Sequence, residues 1–382
     1  MTEVVVIGGG IVGSSAAYRL VRGGARVTLI ERADRGQATA AGAGIIAPGT
    51  ARLSNPEVYP LIAGAAEYYP HLLEQLAEDG ETNARYATPG ELVVATTEEE
   101  ASRLPEIMQR AETRRAAGMP GIGDIAFLTG NEAQQRFPPL ANTYGAIFIS
   151  GSSRINGRLM RDALQRAAVK RGATMVRGSA QLRRDGGRII GVEVDGRMVS
   201  ADAYILAGGA WSREVVETLG ISLPVYPQRG QILHLHLPET DTSGWPIVAG
   251  FHSHYLLTFP RHRVVAGATR EDTAGYDVRV TAGGAQEVIG EALRVAPGLA
   301  TATLVEIRVG LRPATPDGMP ILGRIPEIAN LYVATGNGPS GLQLGPYSAA
   351  VVADMVEGKP IPFDVSAFAM ARFGPQGTAS QS

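Results

Sequence analysis

The chain has 382 residues, 35 lysines and arginines against 37 aspartates and glutamates, and no cysteine. Domains of about 100 to 200 residues predict more than one core for this length, and near-balanced charge removes the basic footprint that nucleic-acid binding needs. The missing thiols exclude disulfides, thiolate metal centres, a cysteine nucleophile and a thioether to any cofactor; no metal is called for elsewhere.

Met1-Thr2-Glu3 has no basic n-region, and no apolar run reaches the ~18 residues of a membrane span. The expectation is an unprocessed, cytoplasmic chain without an integral membrane segment. Val4 to Ile7 then reads as a buried strand, followed by Gly8, Gly10 and Gly13 in the G-x-G-x-x-G spacing and a helix from Ile11 to Arg22 closed by Gly23. Gly8 permits a tight turn, Gly10 lets backbone approach a pyrophosphate, and Gly13 allows close helix-to-strand packing. The first-turn N–H groups around Ile11 and Val12 face the anion. Val27 to Ile30 is a second strand. Glu31 at its tip, followed by Arg32, stands where a carboxylate takes a ribose 2′-OH. This much fits NAD and FAD equally.

The nucleotide signals are interrupted and then return. ELVVAT (91–96), GAIFIS (145–150), QILHLHL (231–237) and YLLTFPRHRVVAGA (255–268) read as strands of a second, antiparallel sheet. Residues 98–118 are charged and helical in pattern, a solvated face. The helix that runs from Arg158 to Gly172 places Met160, Leu164 and Ala168 on one side, and TMVRG follows as a short strand. Asp195-Gly196 marks a hairpin, and Ala203 to Leu206 a buried strand. Near the C-terminus, Leu331 to Ala334 is a strand, Gly336, Gly338 and Gly341 open a loop, and Pro346 suits the first turn of a helix ending at Gly358. That helix N-terminus could stabilise negative charge on a reduced flavin at N1 and C2=O, a role without a counterpart in a nicotinamide site.

The fold expected is therefore α/β (α+β overall). A Rossmann-like dinucleotide domain (1–85, 150–225, 310–372) is interleaved with a substrate domain on a largely antiparallel sheet (86–149, 226–309), and 373–382 forms a disordered tail.

The motifs IGGGIVG, ATAAGAGIIAPG, ILAGGAWS, GLRPATPDGMPILG and ATGNGPSGLQLGP together resemble the D-amino-acid oxidase and glycine oxidase family of FAD-dependent amine oxidoreductases, from about residue 3 to 370. The resemblance implies non-covalent FAD, in contrast to relatives that attach flavin through a thioether. It places Thr39, Ala40, Ala43, Gly44 and Ile45 beside the flavin and its pyrophosphate side, and Ala207, Gly208 and Trp211 over the adenine half. Gly338, Pro339, Ser340, Gly341, Leu342 and Gln343 fall along the isoalloxazine. It further implies a D-amino acid or an N-substituted or cyclic amino acid that loses hydride from its α-carbon to flavin N5 and becomes an imino acid and then a 2-oxo acid, with oxygen or a quinone as electron acceptor. A homo-oligomer or a heteromeric partner is compatible with it.

Arg312, in the apolar run VGLRPA, matches the arginine that grips the substrate carboxylate in that family; the alternative is an ion pair with Asp317 or Glu306. Tyr255 matches the tyrosine whose hydroxyl reaches the same carboxylate; the alternative is a core tyrosine with its hydroxyl satisfied. His252 and His254 alternate with Tyr255 in an extended chain and face away from it. Pro339 stands where glycine oxidases carry an extra arginine, which implies a less polar wall and a larger side chain or a cyclic imino acid. Two other readings stay open, a flavoprotein subunit inactive alone and a nicotinamide-linked dehydrogenase.

Overall fold

The computed structural model describes residues 1–51 and 55–374. One sheet has six strands in the order Ile321–Arg324, Leu331–Thr335, Ala203–Leu206, Glu3–Ile7, Arg26–Glu31 and Thr174–Arg177, parallel except for the first. Crossovers cover both faces of such a sheet, which explains why Val4 to Ile7 is apolar at every position. Val4 and Val6 pack with the helices Ile11–Arg22, Tyr59–Glu78, Gly157–Lys170 and Gly341–Val356. Val5 and Ile7 pack on the opposite side, against the three-stranded sheet of Gln181–Asp185, Arg188–Val194 and Arg197–Val199.

The expected local signals appear as structure. Gly23 caps the helix Ile11–Arg22. Met160, Leu164 and Ala168 are the buried side of Gly157–Lys170. Asp195 and Gly196 adopt φ of +49° and +76°, the left-handed pair that lets a two-residue turn match strand twist.

The second sheet has eight strands in the order Thr303–Ala314, Tyr226–His236, Arg263–Gly267, Tyr255–Phe259, Ile247–Ala249, Glu91–Ala95, Gly145–Ile149 and Ile125–Leu128. Only the contact of Ile247–Ala249 with Glu91–Ala95 is parallel among the described pairs. The chain is a mixed α/β fold in which a nucleotide-type sheet is interleaved with a largely antiparallel one. Among the described residues no helix is long and apolar enough to cross a membrane.

Three details differ from expectation. Residues 98–118 form two helices, Glu98–Ser102 and Leu104–Ala116, and the second is not wholly solvated. Its Arg114 is buried and donates to the carbonyls of Pro48 and Gly49, each at 3.0 Å, because a guanidinium taken from water needs acceptors. Phe373, expected to open the tail at 373–382, is 1% exposed in the core beneath the first sheet, since an aromatic ring gains more from burial than a loose tail gains in entropy. Residues 375–382 of that tail lie outside the described residues.

Pro346 is the third. The helix starts at Gly341, so the proline lies inside it and supplies no N–H to the Leu342 carbonyl. The buried Tyr69 hydroxyl donates to that oxygen instead. Tyr69→Phe keeps the ring but strands the carbonyl, and should cost about 1–3 kcal/mol in urea unfolding. An unchanged midpoint would show that Tyr69 is not the donor that lets the helix carry its proline.

Candidate active site

A long cleft opens at the carboxyl ends of the parallel strands, where ligands of open α/β sheets bind, and runs on to the second sheet. It encloses about 1670 Å³ including its open mouth. Its lining runs from Glu31 at one end to Arg312 and Tyr255 at the other, which suits an extended ligand such as a dinucleotide with a substrate beyond it.

At the nucleotide end, Gly8 adopts φ +106°, and a side chain there would bring its Cβ within 2.7 Å of the Ala207 carbonyl carbon. A Cβ on Gly13 would overlap the Gly8 carbonyl oxygen, so helix and turn meet backbone to backbone. Gly13 thus supports the cleft from beneath, whereas Gly8, Gly10, Ile11 and Val12 line it. The helix has no side-chain cap at Gly10, and Thr39 accepts from the Ile11 N–H at 3.0 Å. First-turn N–H groups lack intrahelical partners, so this end is built to receive an anion.

Glu31 lines the cleft with its carboxylate already organised: it accepts from the backbone N–H groups of Gly9 and Ala33 and from Gln37 Nε2 at 3.0 Å. Arg32 lines the cleft too, but its guanidinium is drawn to Asp34 at 2.6 Å and Glu214 at 3.6 Å. Ala207, Gly208 and Trp211 close the far side, with the Trp211 ring stacked on Tyr276 at 5.9 Å between centroids. We expect Glu31→Gln to weaken flavin retention about ten- to a hundredfold while leaving turnover of the fully loaded enzyme little changed, since one charged hydrogen-bond acceptor is worth about 1.5–3 kcal/mol. Flavin per protein after gel filtration checks this, and equal content in mutant and parent would remove the ribose assignment.

Along the middle, Thr39, Ala43, Gly44 and Ile45 line the cleft. Ala40 does not; its carbonyl turns outward to Arg158 Nε at 2.9 Å. At the inner end Gly338, Pro339, Gly341 and Leu342 form the wall, and the helix Gly341–Val356 also begins without a side-chain cap. Ser340 and Gln343 stand back from it. The Ser340 N–H donates to the Asn337 carbonyl, and Gln343 accepts from Ala47 N–H on the other side of the helix. Asn337 was not singled out from sequence, although it sits in the glycine loop. It is 4% exposed, lines the cleft, and its Nδ2 finds no acceptor among the described residues. A buried amide without an acceptor calls for one from a ligand, and a flavin ring carbonyl would be of the kind it needs.

Beyond this lies the substrate end. Arg312 and Gln228 face each other across the Thr303–Ala314 and Tyr226–His236 ladder, and Arg312 Nη1 donates to Gln228 Oε1 at 3.1 Å and to the Thr269 carbonyl at 3.0 Å. Asp317 is bound to Arg372 at 2.6 Å and Glu306 to Arg308, so neither is its partner. Among the described residues no carboxylate pairs with Arg312. Burial pulls the guanidinium below its ordinary range, with Tyr255 opposing and Arg270 adding to the shift. Gly230 is what makes the room: a Cβ there would come within 2.6 Å of Arg312 Cζ.

Tyr255 lines the same end, lying over Gly267, where a Cβ would meet its hydroxyl at 2.5 Å. No hydrogen bond among the described residues engages that hydroxyl, and burial raises its pKa. His252 and His254 point elsewhere, to Glu291 at 2.9 Å and Glu287 at 3.3 Å. Arg270 completes the end and was missed from sequence, because an arginine leaving a strand carries no local pattern.

Two helix N-termini without a side-chain cap from their own N-cap residue at one cleft, an organised acid at its nucleotide end and an unpaired half-buried cation at the other define a class, the dinucleotide-dependent oxidoreductases. Residues 3–355 match the FAD dependent oxidoreductase (DAO) family, and the chain belongs to that family. It is 44% identical to the uncharacterized oxidoreductase YurR of Bacillus subtilis, over 96% of this chain and 98% of that protein. It is 30% identical to a glycine oxidase of Geobacillus kaustophilus, over 97% of each. Among solved structures it is similar to iminodiacetate oxidase from Chelativorans sp. BNC1, with TM-score 0.92, 44% identity, and coverage of 96% of this chain and 98% of that one. The protein is an FAD-dependent oxidoreductase of the glycine oxidase and D-amino-acid oxidase type, and without a cysteine it has no thioether with which to attach its FAD. The nicotinamide reading falls away.

Proposed function

We propose that the protein oxidises α-amino acids at the carbon bearing the amine, with N-substituted amino acids preferred, and passes the electrons to oxygen. The observation that carries this reading is the Arg312 guanidinium, half-buried at the end of the cleft beside Tyr255 and bonded to neutral oxygens alone among the described residues. A planar, always-charged donor in that state is suited to a carboxylate held bidentately. When bound, FAD takes the hydride that leaves the α-carbon, and water converts the resulting imine to a 2-oxo acid and an amine or ammonia.

The chain's own contribution is orientation, which can supply roughly 7–11 kcal/mol of a barrier. Arg312 and Tyr255 would fix the carboxylate, and Ile232, Pro339 and Leu342 would keep water from the carbon being oxidised. No carboxylate or imidazole borders this end among the described residues, so no side chain is placed to take a proton. The amine must then arrive neutral, and turnover should rise with pH until the amine's own ionisation is complete. Preference for a secondary amine is supported by Pro339 in the wall and by similarity to an iminodiacetate oxidase.

Anaerobic mixing of the yellow holoenzyme with sarcosine, iminodiacetate, glycine and D-alanine tests this. The flavin spectrum should bleach with the secondary amines and return within seconds in air, with hydrogen peroxide formed. No bleaching by any amino acid would overturn the reading, and reduced flavin that persists in air until a quinone is added would overturn oxygen as acceptor.

A further inference from the structure

Arg270 is the unexplained charge of the substrate end. It follows Thr269, whose carbonyl receives Arg312, and it lines the cleft together with Arg312 and Tyr255. Its Nη1 donates to the Ser253 carbonyl at 3.3 Å, which ties it to the loop just before Tyr255. Among the described residues it forms no ion pair. The carboxylates nearest in sequence are engaged elsewhere: Glu271 binds Arg229, Gln231 and Thr269, and Asp272 accepts from Gln228 Nε2 at 2.8 Å.

Two guanidinium groups thus share one end of a cleft, neither with a carboxylate of its own. The Thr269 carbonyl that holds Arg312 and the Ser253 carbonyl that holds Arg270 bring the two arginines to the same end of the cleft as Tyr255. An amino acid with one carboxylate satisfies Arg312 and leaves Arg270, which is exposed at the cleft mouth and, among the described residues, held only by the Ser253 carbonyl, without a charged partner, while its ammonium form is repelled. A substrate with two carboxylates resolves the repulsion between the arginines and gives each a charge-assisted partner.

We propose that Arg270 is a specificity-determining residue that binds a second carboxylate, so that the preferred substrates are amino dicarboxylates held between Arg312 and Arg270. This rests on the proposed oxidation of amino acids and narrows it to a substrate class. The second carboxylate can stand on the nitrogen substituent, as in iminodiacetate, or on the carbon skeleton, as in D-aspartate.

The test compares the holoenzyme with Arg270→Gln on iminodiacetate, D-aspartate and sarcosine. It also titrates both with thiodiacetate, a dicarboxylate without an amine, followed by the perturbation of flavin absorbance. In the variant, KM for the dicarboxylate substrate should rise about ten- to a hundredfold, with kcat little changed and sarcosine within about twofold, as expected for loss of one charge-assisted bond. Selective loss on iminodiacetate places the second carboxylate on nitrogen; selective loss on D-aspartate places it on the carbon chain; either supports the inference. Equal losses on sarcosine and the dicarboxylates, or no loss on any, overturn it, the former assigning Arg270 to holding the Ser253 loop. If the parent oxidises no amine at all, the proposed function fails, and weaker thiodiacetate binding in Arg270→Gln still distinguishes the two.

Discussion

Arg312→Ala should lower kcat/KM for a carboxylate substrate by a factor of about 30 to several thousand, since truncating one side of a buried charge pair costs about 2–5 kcal/mol. The size of the effect follows from the environment. The guanidinium is half-buried, its room is supplied by Gly230, and Gln228 and Thr269 hold Nη1 so that the fork is set before substrate arrives. Arg312→Lys keeps the charge without the fork and should recover part of the loss, through KM more than kcat. Flavin content should match the parent in both variants. An amine without a carboxylate should be poor for the parent and lose little more in Arg312→Ala. If instead the carboxylate-free amine and the amino acid lose equally, Arg312 serves the architecture of the sheet and not the substrate.

Gly13→Ala should give a colourless protein. The added methyl would overlap the Gly8 carbonyl oxygen, and both sides of that contact are backbone, so no side chain can swing away. The helix Ile11–Arg22 has to shift off the strand, and its N-terminus moves from the line of the cleft. Overpacking of this kind costs typically about 1–3 kcal/mol in stability. The loss in flavin affinity should be larger, because every first-turn N–H moves together. Absorbance near the flavin maxima and a thermal melt with and without added FAD check this. Normal yellow colour and an unshifted melt would mean that the turn relaxes without moving the helix.

Short-range physics carried most of what could be read from the residues alone. The Ile11–Arg22 helix, its Gly23 cap and the Asp195-Gly196 hairpin depend on neighbours within a few positions, and each is present as expected. Where distant chain segments decide, the residues were silent. Pro346 looked like a helix start because its missing N–H is harmless there; the Tyr69 hydroxyl, 273 positions away from Leu342, makes it harmless further in. Gln343, Ser340 and Ala40 belong to motifs that face the cleft, yet helix geometry turns them to other partners. Arg270 and Asn337 became visible only through what they lack, an ion pair in one case and an acceptor in the other.

The strand order of the first sheet also has a temporal meaning. Ala203–Leu206 lies between Glu3–Ile7 and Leu331–Thr335, so one of its two edges is filled by chain made near the end of synthesis. At about 5–20 residues per second, roughly ten seconds separate the two events on the ribosome. Throughout that interval the nascent nucleotide sheet carries an open edge, and the loop at 336–342 that borders the inner cleft has yet to be made. A cleft with all its walls therefore exists only once the polypeptide is released or nearly so.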